Sequence, residues 1–207
     1  MITYATMGVI MRFLTGPILF FWEIAKIVII SLAIIVPIRF FVIQPFFVRG
    51  ASMFPSLNSG DYLIINEIGY RFNEPKRGEV VVFRPPQNSG QFYIKRVIGL
   101  PGEVVKIENG EVWLGKSEVS LEKIAEKYVD GRTLGQEIVQ LKAGEYFVLG
   151  DNRNASSDSR NWGVLPRENI IGKAWIRAWP LDKFEIISNP IYGLDVDETT
   201  AELLNNL

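Results

Sequence analysis

Residues 79–114 read EVVVFRPPQNSGQFYIKRVIGLPGEVVKIENGEVWL. Four runs rich in Val, Ile and aromatic residues occur here: Glu79-Val80-Val81-Val82-Phe83, Phe92-Tyr93-Ile94-Lys95-Arg96-Val97-Ile98, Val104-Val105-Lys106-Ile107 and Glu111-Val112-Trp113-Leu114. Pro85-Pro86, Pro101-Gly102 and Asn109-Gly110 separate them. β-Branched and aromatic side chains suit a pleated surface, and the Pro and Gly pairs interrupt it, so the stretch is a succession of short strands. Asn109-Gly110 supplies the two left-handed residues that a tight hairpin demands.

The same pattern continues on both sides. Tyr62-Leu63-Ile64-Ile65 follows Gly60-Asp61, and Tyr146-Phe147-Val148-Leu149 and Ile171-Gly172-Lys173-Ala174-Trp175-Ile176-Arg177 lie downstream. Seven strands predict a mainly β fold, an antiparallel sheet or barrel-like domain over residues 44–190, with a smaller inserted part at about 103–145. Ser120-Leu121-Glu122-Lys123-Ile124-Ala125-Glu126-Lys127-Tyr128 reads as a helical patch within that insertion. Residues 191–207 read as an acidic tail.

Upstream the character changes. Residues 24–43, IAKIVIISLAIIVPIRFFVI, would as a helix cover the hydrocarbon core of a bilayer, and Lys26 and Arg39 lie near its ends, where long cationic side chains reach the headgroups. A transmembrane helix is the reading; a cleavable leader is the competitor, and the long apolar run before Arg49-Gly50-Ala51 fits it less well. Residues 1–23 form a cytoplasmic or interfacial segment, with a second span as the alternative. Arg12 and Lys26 ahead of the span place the N-terminus in the cytoplasm and the β domain on the outer face.

Composition excludes several chemistries. In 207 residues there is no Cys and no His, which removes disulfides, thiolate nucleophiles, Cys-based zinc sites and the commonest general base. The net charge of -1, with Lys and Arg dispersed, offers no footprint for nucleic acid. Ser52 stands just beyond the apolar segment in Arg49-Gly50-Ala51-Ser52-Met53-Phe54-Pro55. If it is a nucleophile, its base must be something other than histidine, and lysine is the leading candidate.

Three segments then stand out: Ser52-Met53-Phe54-Pro55-Ser56-Leu57, Tyr93-Ile94-Lys95-Arg96-Val97-Ile98-Gly99-Leu100-Pro101-Gly102, and residues 150–163, GDNRNASSDSRNWG. In this order after an apolar anchor, the chain resembles the type I signal peptidases, membrane-bound serine proteases with a Ser/Lys dyad. The likeness runs from about Pro45 to about Ile176. It implies a Ser52 nucleophile and a Lys95 general base, with no metal or organic cofactor. An amide needs a nucleophile, a base and donors for the developing oxyanion. Lys95 serves as base only when neutral, so its pKa must fall from about 10.4 toward neutrality, and burial among Tyr93, Ile94, Val97 and Ile98 can do this. By strand alternation Arg96 faces away from Lys95 and pairs with a carboxylate.

The resemblance further implies that Ser156 orients the lysine and that Asp151, Arg153, Asp158 and Arg160 brace the site through ion pairs. It makes the Ser52 backbone N–H an oxyanion donor. Gly50 stands where many Gram-negative members carry a serine, and Ser56 where threonine is usual. The implied pocket positions are Val48, Met53, Leu57, Leu63, Val82, Tyr93 and Ile94, which would receive small residues of a signal peptide bound as an added strand. Signal peptides of exported preproteins and membrane lipid are the expected partners, with Trp162, Trp175 and Trp179 as the aromatics that would meet lipid if exposed. The rivals are another Ser/Lys protease of similar fold and an anchored, non-catalytic peptide-binding β domain.

Overall fold

The computed structural model describes residues 19–36, 43–87, 90–129 and 131–192. It contains two units, divided between Val42 and Ile43.

In the first unit, helix α1 spans Leu19–Val36, an 18-residue apolar helix long enough to cross a membrane. At about 1.5 Å per residue it measures roughly 27 Å. Its large apolar side chains, from Leu19 to Val36, are exposed to the surroundings rather than packed on protein. Glu23 and Lys26, one turn apart, neutralise each other at 2.7 Å. The helix therefore starts before residue 24, while Ile43, expected as the last residue of the span, instead opens a strand. Pro45 accounts for that strand's place, since a residue without an N–H is tolerated at a sheet edge. The remainder of the expected segment 1–23, residues 1–18, lies outside the described residues, as does most of the expected tail.

The second unit is antiparallel throughout. Its strands are β1 (Ile43–Phe47), β2 (Tyr62–Asn66), β3 (Val80–Phe83), β4 (Tyr93–Gly99), β5 (Val104–Glu108), β6 (Glu111–Gly115), β7 (Glu122–Lys123), β8 (Glu137–Gln140), β9 (Glu145–Leu149), β10 (Leu165–Pro166), β11 (Ile170–Trp179) and β12 (Glu185–Ile186). Two short helices, α2 (Gly69–Phe72) and α3 (Ser159–Trp162), sit in connections. The large sheet runs β1-β2-β11-β3-β4-β9-β10, with β12 added to β11, and the small one runs β7-β6-β5-β8.

Burial explains the strand sequences. β3 is buried on both faces, so all four of its residues are apolar: Val80 and Val82 join a core with Met53, Leu57, Leu63 and Ile65, while Val81 and Phe83 join one with Val97, Tyr146, Val148 and Leu165. The small sheet packs Val105, Ile107, Val112 and Leu114 against Ile98, Phe147 and Leu149. Asn109 and Gly110, with φ of 55° and 85°, make the β5–β6 hairpin. β11 is long enough to pair with both β2 and β3, and register shifts between Ile170 and Gly172, between Ala174 and Ile176 and between Arg177 and Trp179 bend it.

The expected helix at 120–128 is absent. Ser117 and Ser120 form a turn, Glu122–Lys123 pair with β6 as β7, and Ile124 donates its N–H to Val112 O while its side chain is buried in the small-sheet core. Completing a sheet edge here outweighs the helical propensity of Leu, Glu, Lys and Ala.

Candidate functional site

Ser52 sits on the turn that follows β1. Met53 and Leu57, each 1% exposed, plug this turn into the core, and Leu57 N donates to Met53 O at 2.8 Å. Arg177 ties it from below: its guanidinium donates to Asp61 Oδ2 at 3.2 Å and to Ser56 O at 3.1 Å, and Asp61 accepts from Asn58 N at 2.9 Å. From the other side Asn152 N donates to Ser52 O at 3.0 Å. The hydroxyl is thus held on a rigid loop while its carbonyl is occupied.

Lys95 reaches this hydroxyl from β4. Its Nζ donates to Ser52 Oγ at 2.8 Å and to Ile94 O at 2.9 Å, and lies 5.4 Å from the centre of the Tyr93 ring. The residue is 4% exposed. Burial lowers the amine's pKa from its ordinary value to about 8, against the opposing pull of Asp158 and Asp151. A substantial neutral fraction at neutral pH follows, which is what a lysine base requires.

The two carboxylates facing Lys95 each have an arginine of their own. Asp151, fully buried, accepts from Arg96 Nε at 2.9 Å and Nη2 at 2.6 Å, and Arg96 Nη1 donates to Gly78 O at 2.8 Å. The alternation expected from the strand holds here, with Lys95 meeting Ser52 and Arg96 meeting Asp151. Asp158 caps α3, accepts from Gly150 N at 3.0 Å and pairs with Arg160 at 2.8 Å. Burial pushes its carboxyl up, but Arg160, the neighbouring Ser156 and the Gly150 N–H outweigh that and hold it below the usual carboxylate range. Arg153 donates to Gly150 O at 3.0 Å and to Glu126 at 2.8 and 2.5 Å, and it also bonds Thr133.

Ser156 Oγ is buried beside the Asp158 carboxylate, which it helps to hold low, and makes no well-aligned hydrogen bond among the described residues. It lies against Gly150, where an added Cβ would stand 2.2 Å from Ser156 Oγ and 2.5 Å from Ser52 O. Gly150→Ala therefore drives a methyl group between the Ser52 loop and Ser156. The expected result is a fall in kcat of about tenfold or more together with about 1–3 kcal/mol of lost stability. Turnover and urea unfolding of the same preparation check both numbers.

A cavity of about 570 Å³ opens beside Ser52 and Lys95. Val48, Leu63, Val82, Tyr93 and Ile94 line it, joined by Phe46, Phe92 and the backbone of Gly50 and Ala51. Met53 and Leu57 do not line it. In a turn this tight the side chain after Ser52 points down into the core, so these two residues form the support beneath the cavity. The first-named aromatics differ too: Trp162 packs on Phe83 at 5.7 Å, whereas Trp175 and Trp179 are exposed. Asp61, Glu126, Tyr128 and Arg177 were not singled out from the sequence. The local signal for Arg177 is a charge inside the apolar run at residues 174–179. Among the described residues no group of three acidic, His or Cys side chains could hold a metal.

A serine hydroxyl bonded to a buried amine, beside an apolar cavity in an antiparallel sheet, is the geometry that a hydrolase of the Ser/Lys type requires. The family model described as signal peptidase, peptidase S26, matches residues 21–179. The chain is 36% identical over 174 residues to a probable signal peptidase I-1 of Synechocystis sp., covering 79% of this chain and 87% of that one. Signal peptidase I of Leptolyngbya laminosa is 37% identical over 175 residues (80% and 83%), and signal peptidase IB of Staphylococcus aureus 34% over 180 residues (78% and 93%). The chain belongs to the signal peptidase family, peptidase S26.

Proposed function

We propose that the protein is a membrane-anchored serine endopeptidase that removes N-terminal signal peptides from exported preproteins, with Ser52 as nucleophile and Lys95 as general base. The observation that carries this reading is the 2.8 Å hydrogen bond between a lysine amine buried to a pKa of about 8 and a serine hydroxyl at the cavity wall. Neutral Lys95 takes the Ser52 proton as Oγ attacks the scissile carbonyl, and the Ser52 N–H donates to the oxyanion. The protonated amine then passes its proton to the leaving amine, and Lys95 activates the water that hydrolyses the acyl-enzyme. Ser156 orients Lys95 once its hydroxyl, which makes no hydrogen bond to the amine among the described residues, turns toward it, while Asp151, Arg153, Asp158 and Arg160 keep the surrounding loop rigid.

The signal peptide enters as an extended strand, its small residues one and three positions before the cut lodged among Val48, Leu63, Val82, Tyr93 and Ile94. Helix α1 is the anchor. The N-terminus is cytoplasmic, the β domain is on the outer face, and exposed Phe47, Tyr62 and Trp179, adjacent across β1, β2 and β11, meet lipid.

The test is cleavage of a preprotein by the full chain in detergent, with the new N-terminus sequenced. A single cut after a small residue is expected, and Phe at the position before the cut should lower kcat/KM by about a hundredfold or more, since a shallow pocket that fits small residues does not accommodate the ring. Absence of cleavage, or equal cleavage after Phe, overturns the reading.

A further inference from the structure

The chain beyond β12 returns to the site. Ile187 N donates to Trp175 O at 2.9 Å, and the next residues close over Gly78, where an added Cβ would stand 3.0 Å from Pro190 Cδ and 3.1 Å from Tyr192 Cε2. Gly78 also has φ of +83°, so glycine is needed twice over, for the backbone and for the space. Tyr192 is 5% exposed, whereas Ile191 beside it is 91% exposed, so the segment is pinned by the tyrosine side chain. This segment lies beyond residues 21–179, the part matched by the family model.

Tyr192 is held at its tip. Its hydroxyl and that of Tyr128 are 2.7 Å apart, and the two rings meet edge to face at 6.2 Å. Burial first, and then the neighbouring Glu126, raise the pKa of Tyr128; burial raises that of Tyr192, so both stay protonated. The face of Tyr128 lies 4.4 Å from the Arg96 guanidinium, a cation–π contact. Arg96 is thus enclosed by Asp151, Gly78 O, Ser56 Oγ and the Tyr128 ring, and Tyr192 holds the Tyr128 side of this enclosure while lying over Gly78. A second cavity, of about 390 Å³, separates this segment from the Ser52 loop and is lined by Ser56, Arg96, Tyr128 and residues 188–190.

We propose that residues 188–192 form a strap whose Tyr192 is a positioning residue for the Ser52–Lys95 dyad, acting through Tyr128 on the Arg96–Asp151 pair. The inference rests on the catalytic reading given above. Lys95 adjoins Arg96 in β4, and the charged groups that face its amine are Asp151 and Asp158. Asp158 keeps Arg160 whatever the strap does. Among the described residues the ion pair of Asp151 is with Arg96, and Arg153 is a more distant charge, so loosening Arg96 strengthens the negative field at Lys95 and raises the amine's pKa.

The test compares Tyr192→Ala, Tyr192→Phe, Tyr128→Phe and the double Phe variant in the full chain. Tyr146→Phe is the control, because it removes a comparable buried hydroxyl, bonded to Glu74, on another part of the sheet. Tyr192→Ala is expected to lower kcat about tenfold with KM within about twofold, and to move the rising limb of kcat to higher pH by about half a unit. Tyr192→Phe should restore most of kcat. Tyr192→Phe loses only the bond between the two hydroxyls, whereas Tyr128→Phe also loses the one to Glu126 Oε1 at 2.8 Å, so the double should agree with Tyr128→Phe within about twofold. Tyr146→Phe should lower Tm without moving the limb.

The amine is also read without turnover, from the pH dependence of Lys95 acetylation by acetic anhydride, where Tyr192→Ala should show the same upward shift. If Tyr192→Ala or, should it fail to fold, Tyr192→Leu, which also removes the ring, lowers Tm but leaves the acetylation profile where Tyr146→Phe leaves it, the strap is merely structural and the proposal falls. If the wild type does not cleave preproteins, the peptidase reading falls on its own, and the acetylation shift still decides the strap.

Discussion

Lys95→Met is expected to lower kcat by roughly 10³–10⁴-fold while making the protein more stable at pH 7. The two effects have one cause. The amine is 4% exposed, and burial brings its pKa down to about 8. Catalysis requires the neutral form, so wild-type kcat should rise about tenfold per pH unit below pH 8 and level off above it. Stability carries the opposite mark: the unfolded chain binds the proton up to about pH 10.4, the folded one only to about 8, so folding is penalised fully below pH 8 and the penalty fades between pH 8 and 10.4. That gap corresponds to about 3 kcal/mol at pH 7.

Methionine, similar in volume, removes the penalty but forfeits the hydrogen bonds to Ser52 Oγ and Ile94 O, each about 1 kcal/mol, leaving a net gain of about 1 kcal/mol. Urea unfolding at pH 7 and pH 10.5 measures it, and the gain should reverse at the higher pH. Ser52→Ala should fall to the same activity floor and lose no more than about 1 kcal/mol of stability, because among the described residues the hydroxyl's one hydrogen bond is to Lys95. Retained cleavage in either variant removes the dyad from the mechanism, and a less stable Lys95→Met at pH 7 would show that burial is not what depresses the amine.

Arg96→Met should destabilise the fold by about 3–5 kcal/mol, the largest loss expected from any single change outside the dyad. The variant strands the Asp151 carboxylate, which has no exposed surface and takes two hydrogen bonds from Arg96. It also empties the face of Tyr128 and leaves Gly78 O without its donor. A like-looking pair makes the comparison: Arg167 and Glu74 are as close, at 2.7 Å, but Glu74 is 73% exposed, so Glu74→Gln should cost no more than about 1 kcal/mol. Replacing both members, Arg96→Met with Asp151→Leu, should recover part of the loss, since no charge is left unpaired. Midpoints of urea unfolding at constant slope test the series. A loss below about 1 kcal/mol for Arg96→Met would mean that water reaches Asp151.

Much of this was legible from local pattern. The seven expected strands are there because alternation and Gly or Pro punctuation are set by each residue's own backbone, and Asn109-Gly110 makes its hairpin for the same reason. β8, β10 and β12 lie at sheet ends, bury little and carry no apolar run, while β1 continues the apolar stretch that reads as the span. The stretch around Glu122 went wrong in the other direction. Its helical propensity is real, but Ile124 is buried only if the chain is extended beside β6. Trp162 could not be told from Trp175 and Trp179 by type. Its packing on Phe83 comes from α3 folding back over β3.

By itself the sequence determined the chemistry on offer: without His or Cys, a serine beside an apolar segment and a lysine inside an apolar strand are the residues left for acyl transfer. It also determined the strands that carry them, because side-chain period and turn residues are local. Only the tertiary structure decided that Ser52 and Lys95, 43 positions apart, meet at 2.8 Å; that Met53 and Leu57 lie under the cavity rather than in its wall; and that Tyr192 closes on Tyr128, whose face meets Arg96. The reason is that a pKa, a pocket wall and a buried ion pair depend on what the rest of the chain brings within a few ångströms. Desolvation and Coulomb attraction act across space, and no local pattern encodes them.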